Sequence, residues 1–324
     1  MEKNNKPIVS LLMPIYGVAN YIERCAVSAL EQTYDNIEYV FVNDCTPDSS
    51  MEILQKVLER YPSRKNQVRI INHEKNRGLA AARNTAVANT TGEFIMHLDS
   101  DDWIETNTVE LCVQEQMKGN YDIVSFDALT HSVDGKNRLR PCPNFTDTLE
   151  MSYKLLYCGL HNVWGRLIRR SLYVKNGLKC LEGYNQAEDL QIMPLLAFYA
   201  KSETVLHLPL YHYNLTNENS YSNINYRKKR HVLNQANTAR KMLRDFFTSK
   251  GEKYRKHVDA LEITIYLNVI TLTSDEKEFY EAVKNLHKKN LSQFRELETD
   301  RLRKLIFRIN CPWLLWIIMK RYRL

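Results

Sequence analysis

The chain has 324 residues, of which 44% are hydrophobic and 26% are charged, and its formal net charge at pH 7 is +7. These proportions are those of a globular protein with a substantial core and exclude a globally disordered chain. No apolar run is long enough for a membrane-spanning helix, and no signal-peptide pattern is found. Seven scattered cysteines without paired short spacing argue for reduced thiols and against a zinc site. We therefore expect a cytoplasmic protein.

The positive charge is concentrated in the last third of the chain. Residues 223–324 contain 23 Lys and Arg against 11 Asp and Glu, a net charge of +12, whereas residues 1–222 carry a net charge of −5. A basic segment of this kind favours an acidic partner such as an anionic membrane surface. We do not expect nucleic acid as a partner, because no recognition motif accompanies the charge.

The first 130 residues alternate between strand-like apolar runs and helix-like segments. Strands are predicted at 8–13, 38–42, 68–72, 93–98 and 121–126. Helices are predicted at 19–32, 48–61, 79–89 and 106–117. This alternation is typical of an α/β fold with a mainly parallel central sheet and helices on both faces.

The pattern changes twice beyond residue 130. From 131 to 222 the elements are shorter and separated by polar loops, with one helical segment at 188–200. Such segments beside an α/β sheet commonly form the pocket of a second substrate. From 226 onward the chain is predicted to be almost entirely helical. We predict a first domain over 1–222, divided into halves 1–130 and 131–222, and a basic helical region over 223–324.

The strand predicted at 93–98 leads into three carboxylates, Asp99, Asp101 and Asp102, with Ser100 among them. Ligands of open α/β sheets bind at the C-terminal ends of strands. Neighbouring acids repel one another, and a divalent cation that also binds substrate phosphates would neutralise them. The alternative is an acidic turn before a helix, with Ser100 or Asp102 near the N-cap.

Other polar groups follow the strands or begin the helices. Asp44 could bind a base or ribose, or form an Asx turn into the next helix. Arg83 lies on an Ala-rich helix, where it could bind a diphosphate or be solvated. Glu188 and Asp189 begin a helix, either as a general base or as charges that complement the helix dipole. Neither G-x-G-x-x-G nor a P-loop motif is found, which counts against dinucleotide oxidoreductases and P-loop enzymes.

In this order and spacing, the segments resemble the family 2 glycosyltransferases, inverting enzymes of the GT-A fold. The resemblance covers about residues 7–215 and is most specific in the N-terminal half. It rests on the segments 9–16, 28–34, 38–44, 76–84, 92–103 and 188–189.

The resemblance implies a nucleotide-sugar donor, most often a UDP-sugar in this family. Asp44 would contact the nucleobase, Arg83 would lie near the diphosphate, and Asp99 would lie near the ribose. The other expected donor contacts are Pro14, Tyr16 and Ser100.

The resemblance also implies a metal ion and a general base. Asp101, the last residue of the D-x-D element, would coordinate Mg²⁺ or Mn²⁺, which stabilises charge on the leaving diphosphate. Asp189 would deprotonate the acceptor hydroxyl, and Glu188 would orient the acceptor or the base. Asp102 is expected to cap a helix or to support its neighbours.

The chain departs from the family pattern at four positions. Gly17 replaces a frequent Asn, Asn43 replaces the first of two frequent acids, and Ala86 and Ala187 replace frequent glycines. These departures affect fine donor contacts and not the class of enzyme.

Residues 301–324 interleave basic, apolar and aromatic residues, and their uncharged stretch 309–319 is too short to cross a bilayer. We predict that this tail lies on an anionic membrane surface. The alternative is that it packs its apolar stripe onto the domain over 1–222.

The predicted function is transfer of a sugar to a glycan or lipid-linked acceptor in surface-polysaccharide synthesis, at the inner face of the cell membrane. One alternative is a catalytically idle nucleotide-sugar-binding scaffold subunit. Another, a nucleotidyltransferase, lacks the expected Gly-rich, Lys-containing start.

Overall fold

The computed structural model of the chain describes residues 6–157, 161–185, 187–217, 226–295 and 300–322. The chain forms two compact units, Met1–Met151 with Asn162–Ile224, and Ser152–His161 with Asn225–Leu324. The predicted boundary between residues 222 and 223 lies outside the described residues, as do the last two residues of the predicted tail.

The first unit is built on one mixed sheet. Its strands within the described residues are β1 (Val9–Ile15), β2 (Ile37–Asn43), β3 (Val68–Asn72), β4 (Phe94–His97), β5 (Trp103–Ile104), β6 (Ile123–His131), β7 (Asn137–Arg140), β8 (Arg166–Arg169) and β9 (Glu203–Asn214). Their order is β3-β2-β1-β4-β8-β6-β9-β5, with β7 paired to β6.

The first four strands of this order are parallel. β1 pairs with β2 from Val9↔Ile37 to Ile15↔Asn43 and with β4 on its other side. β8 is antiparallel to β4 and β6, β6 is parallel to β9, and β5 is antiparallel to β9. Because β1, β2 and β4 are adjacent and parallel, the segments that follow them meet at one edge of the sheet, where α/β proteins bind ligands.

Helices lie between these strands along the chain. They are α1 (Ile22–Leu30), α2 (Ser50–Glu59), α3 (Leu79–Ala88), α4 (Thr108–Gly119), α5 (Thr148–Tyr157), α6 (Ser171–Lys175) and α7 (Glu188–Tyr199). The last residues of α5 belong to the second unit.

Both faces of the parallel strands are covered, which explains why β1 is apolar at every position except Ser10. Leu11 and Met13 lie in a buried cluster with residues of α1, α2 and α4. Leu12, which points to the other face, is also fully buried, and α3 packs against β1 and β2. The small side chains Ala81 and Ala82 of α3 are buried and allow a close approach to the sheet.

The predicted α/β class and the helical C-terminal region are confirmed, and the sheet is parallel over its first four strands and mixed beyond them. The sequence patterns did not reveal β5, β7, β8 or β9. The helix expected at 106–117 begins at Thr108, and Asp102 is followed by β5. The expectation that Ser100 or Asp102 caps a helix is therefore wrong.

The second unit is helical. Besides the end of α5, it contains α8 (Tyr226–Ser249), α9 (Arg255–Leu272), α10 (Glu276–Leu286), α11 (Ser292–Arg295), α12 (Arg301–Arg308) and α13 (Pro312–Tyr322). Asp275 accepts a hydrogen bond from the Glu278 backbone N–H and Asp300 accepts one from that of Arg303, so both aspartates are N-caps. In the described part of the chain, no helix has the length and apolarity that crossing a membrane requires.

Candidate active site

The acidic turn, residues 99–102, follows β4 at the ligand-binding edge of the sheet. The Ser100 hydroxyl donates to the Pro14 carbonyl at 2.6 Å, which ties the turn to the end of β1. The Asp102 backbone N–H donates to the Asp99 carbonyl at 2.9 Å and closes the turn. Ser100 and Pro14 are both buried, so they shape this edge with the contacts described, and their predicted contacts with a donor stay predictions.

Asp102 supports the turn from inside the protein. It is 1% exposed, and its two carboxylate oxygens accept hydrogen bonds from the Tyr211 hydroxyl at 2.6 Å and the Asn214 backbone N–H at 2.8 Å. Burial raises the pKa of Asp102 well above its usual value, and the charges of Asp101 and Asp99 raise it further. Its partners on β9 make it a structural acid.

Asp101 is the carboxylate of the turn that is predicted to bind a metal ion. Burial raises the pKa of Asp101, and the Asp99 charge adds to this effect, while the Asn217 amide donates to Asp101 at 2.9 Å. A divalent cation would offset the repulsion, and carboxylate oxygens suit Mg²⁺ or Mn²⁺. Within the described residues, no group of three or more His, Cys, Asp or Glu side chains forms a metal site. The residues fit a cation whose coordination is completed by substrate phosphates and water.

Arg83 brings the two predicted acidic sites together. Its guanidinium lies 2.9 Å from Asp99, 3.5 Å from Glu188 and 3.7 Å from Asp189, measured between nitrogen and oxygen atoms. We call these four residues the Arg83 cluster. Burial alone would lower the pKa of Arg83, but the three carboxylates raise it well above its usual value. One buried cation therefore balances part of the charge of three acids.

Glu188 and Asp189 occupy the first turn of α7, where the helix dipole favours negative charge. Burial raises the pKa of both carboxyl groups, and the charge of Asp189 raises the pKa of Glu188 further. The positive charge of Arg83 opposes both pKa shifts. The backbone N–H of Val163 donates to Asp189 at 3.3 Å. An acid whose pKa lies above its usual range is suited to proton transfer near neutral pH.

Asp44, at the end of β2, is engaged by the chain itself. Its carboxylate lies 2.6 Å from His73 Nδ1 and accepts backbone N–H bonds from Arg77 at 2.8 Å and Gly78 at 2.7 Å. It is 2% exposed. It thereby fixes the loop that precedes α3, and its contact with a nucleobase stays a prediction. Tyr16, at the end of β1, is by contrast 49% exposed.

The structure adds residues that the sequence reasoning missed. Tyr211, Asn214 and Asn217 hold the acidic turn but come from the weakly patterned segment, where a single Tyr or Asn gives no signal. His73, the partner of Asp44, precedes the predicted motif 76–84 and could have been suspected from its position after β3. Asp48 orders the loop before α2 by accepting from the Ala19 N–H and the Ser50 hydroxyl.

Comparisons with known proteins agree with this architecture. The chain is similar to EpsJ, an uncharacterized glycosyltransferase of Bacillus subtilis, with 33% identity over 232 residues. This match covers 68% of the chain and 64% of EpsJ, just under two thirds of that relative. The chain is also similar to EpsH of B. subtilis, with 31% identity over 86% of the chain and 82% of EpsH.

Solved structures show the same fold. Staphylococcus aureus TarS 1–349 in complex with UDP-GlcNAc has a TM-score of 0.69 and 18% identity, covering 97% of the chain and 91% of that chain. Mannosyltransferase PcManGT from Pyrobaculum calidifontis, in complex with GDP-Man and Mn²⁺, has a TM-score of 0.57 and 16% identity. The match covers 97% of this chain and 87% of PcManGT. The fold is thus the GT-A type that the resemblance implied.

The family model described as Glycosyl transferase family 2 matches residues 10–175, about half of the chain. This segment contains β1 to β4, the acidic turn and Arg83. With the fold and the relatives given above, the match shows that the chain belongs to glycosyl transferase family 2.

Proposed function

We propose that this chain is an inverting glycosyltransferase that moves a sugar from a UDP-sugar to a hydroxyl acceptor. The observation that carries the proposal is the Arg83 cluster, in which Asp99 of the acidic turn and Glu188 and Asp189 of α7 meet at one arginine. An inverting displacement needs a leaving-group site and a base on opposite sides of one sugar. The cluster provides acids from two elements for these two roles. The fold shared with TarS in complex with UDP-GlcNAc supports a UDP-sugar donor.

On the donor side, Tyr16 offers an exposed ring at the end of β1, and Asp44 positions the loop that leads to Arg83. Mg²⁺ or Mn²⁺ at Asp101 would stabilise the negative charge that develops on the departing diphosphate. The fold shared with PcManGT, which was solved with Mn²⁺, supports this assignment. Asp99 would orient the donor and is itself held by Arg83.

On the acceptor side, Asp189 would take the proton of the attacking hydroxyl. Burial raises the pKa of Asp189, and Arg83 opposes this shift, so the carboxylate combines basicity with ionisation near neutral pH. Glu188 lies beside it and shares the same arginine, which suits a role in orienting the base or the acceptor.

The test is release of UDP from a panel of UDP-sugars with Mg²⁺ or Mn²⁺ and glycan acceptors. Asp101→Asn and Asp189→Asn should each lower transfer at least a hundredfold while the protein stays folded. Asp35→Asn, at a side chain that is 87% exposed, is the matched control and should keep full activity. Full activity of Asp101→Asn would contradict the metal assignment. UDP binding without transfer to any acceptor would favour an idle scaffold subunit, and release of pyrophosphate would indicate a nucleotidyltransferase.

The second unit supports a lipid-linked acceptor at an anionic membrane. In α13, Leu315 and Trp316 are buried, whereas Trp313, Leu314 and Ile317 are exposed. The buried side chains show that the tail packs partly within its own unit. Exposed apolar and aromatic residues in a strongly basic region suit the surface of an anionic bilayer. We propose a peripheral location at the inner face of the cell membrane.

Flotation of the full chain with liposomes tests this location. Trp313→Ser combined with Ile317→Ser should weaken binding to phosphatidylglycerol vesicles at least tenfold. Val133→Ser, at a residue 79% exposed in the first unit, should leave binding unchanged. Equal flotation of the double variant and the control would refute the role of α13.

A further inference from the structure

A side pocket of about 310 Å³ opens beside the Arg83 cluster, between α3, α6 and α7. Its rim includes Val174, which is 57% exposed, and the exposed Lys179. Its inner end is formed by the buried residues His97 and Glu188, together with Asp189. The pocket therefore leads from the protein surface to the candidate base.

The side pocket shares a single residue, Arg83, with the residues assigned to the donor and the metal. Of the residues assigned to the donor or the metal, Arg83 lines it, whereas Tyr16, Asp44, Asp99 and Asp101 do not. A second substrate in the pocket would reach Asp189 by a route that the donor does not use. An inverting displacement requires this arrangement, because the acceptor attacks from the side opposite the diphosphate.

The walls of the pocket are mainly apolar. Hydrocarbon and aromatic surface comes from Val87 of α3, Tyr173 of α6, Ile192 of α7 and Leu178 in the loop between α6 and α7. Its volume lies at the lower end of the ~300–1,000 Å³ range of small-molecule sites. This size and surface suit a single ring with apolar faces.

Among the described residues, three buried nitrogen atoms of pocket-lining side chains lack hydrogen bonds, Arg83 Nε among them. Among the described residues, neither His97 Nδ1 nor Arg83 Nη1 has a hydrogen-bond partner. His97 Nε2 lies 3.0 Å from the Tyr173 hydroxyl, which fixes the ring. Burial and the charge of Arg83 lower the pKa of His97 well below its usual value, so the imidazole is neutral. Buried polar atoms without partners are costly, and hydroxyl or amide groups of a ligand could satisfy them.

We propose that the side pocket binds the terminal sugar of the acceptor, a neutral glycosyl unit with an apolar substituent such as an N-acetyl or 6-deoxy group. The inference rests on the proposed function and assigns its acceptor site. The apolar walls favour an uncharged ring. The closeness of Asp189 places the hydroxyl of such a ring beside the base.

The test measures binding of methyl glycosides to the full chain with UDP and Mg²⁺ by saturation-transfer NMR. Methyl N-acetyl-β-D-glucosaminide and methyl α-L-rhamnoside are the probes, and methyl α-D-glucoside is the reference. At least one probe should bind at least fivefold more tightly than the reference. Val87→Trp, which fills the pocket, should weaken that probe at least tenfold while the Kd for UDP stays within twofold. Val133→Trp, far from the pocket in sequence and 79% exposed, should change neither affinity.

Val174→Trp at the exposed rim repeats the test if Val87→Trp does not fold. The inference would be overturned if no glycoside binds. It would also be overturned if both pocket variants bind the glycosides as tightly as the wild type does. Binding of farnesyl phosphate in place of the glycosides would likewise overturn it, because the pocket would then be a lipid-binding site. UDP binding by the same samples separates the two proposals. If UDP binds and the glycosides do not, only the acceptor site fails, whereas a chain that binds no UDP overturns both.

Discussion

The hydroxyl of Tyr211 donates a 2.6 Å hydrogen bond to Asp102, 109 positions earlier in the chain. Asp102 is almost fully buried, and its other oxygen accepts from the Asn214 backbone N–H. A buried carboxylate is tolerated only when it is hydrogen-bonded or neutralised. The position of the acidic turn therefore depends on β9.

Tyr211→Phe should lower the free energy of unfolding by about 1–3 kcal/mol, because a buried acceptor loses its partner while the ring is kept. The Kd for UDP should rise at the same time, because the turn is less firmly held. Urea unfolding and a UDP titration measure the two effects. Tyr121→Phe is the control, because the Tyr121 hydroxyl makes no hydrogen bond with the described residues. An unchanged urea midpoint for Tyr211→Phe would show that Asp102 does not depend on this bond.

Arg83→Met should destabilise the fold by about 3–5 kcal/mol at pH 8, because three acids lose their buried counter-ion. This loss of folding free energy should become smaller toward pH 5, because Glu188 and Asp189 can then take up protons. Burial already raises the pKa values of both residues. Chemical unfolding at several pH values measures the loss. Arg77→Met, which removes an exposed pair with Glu182, should cost at most about 1 kcal/mol. A deficit independent of pH would contradict this account of the cluster.

Glu203→Gln should stabilise the protein above neutral pH. Burial raises the pKa of Glu203 to about 7, with Arg166 lowering and Glu150 raising it. In the unfolded chain Glu203 has its ordinary pKa of 4.5. Between pH 4.5 and about pH 7, Glu203 therefore keeps a proton in the folded chain that it has released in the unfolded chain. Stability is therefore lost as the pH rises through this range. The glutamine variant should remove this loss, a gain of roughly 1–2 kcal/mol at pH 8 after allowance for partial solvation.

Unfolding at pH 4.5 and pH 8 tests this prediction. The gain of Glu203→Gln should be present at pH 8 and absent at pH 4.5. Glu52→Gln, at an exposed position of α2, should behave like the wild type at both values. An equal gain at both pH values would assign the effect to packing and not to titration.

Gly78→Ala should be more costly than an ordinary glycine substitution. Gly78 has a φ of +87° and a ψ of 166°, and a Cβ there would clash with the Asn185 side chain. Gly251→Ala is the matched control, with a φ of +90°, a ψ of −177° and no atom of another described residue within 4 Å of its Cβ. Both substitutions incur backbone strain of about 1–3 kcal/mol, because at these angles the chain lies in a region that essentially only glycine adopts. The excess loss for Gly78→Ala in thermal unfolding reports the clash, and equal losses would show that Asn185 simply moves aside.

The parallel half of the sheet could be predicted because local sequence specifies it. β1 is buried throughout and apolar except at Ser10, and β2 and β4 end in the polar residues Asn43 and His97 at the same edge. β9 could not be predicted in this way, because Pro209 and the register shift opposite Asp127 interrupt its pattern. β5 has two residues, too few for any periodicity.

The candidate site was predicted as separate segments. The acidic turn, Arg83 and the pair Glu188 and Asp189 are each recognisable in the sequence. Their meeting at one guanidinium depends on how α3 and α7 pack, which no local pattern encodes. The partners of the turn are single polar residues such as Asn217 that become meaningful only in three dimensions.

The hydrogen bonds from β9 to the acidic turn bear on how this chain can be divided into fragments. A fragment ending at residue 130 would contain Asp44, Arg83 and the whole turn, yet Asp102 would lose Tyr211 and Asn214. Such a fragment should bind nucleotide poorly even where it folds. Chimaeras that exchange donor specificity between relatives should therefore be joined after Asn217, so that the turn and the residues that support it are inherited together.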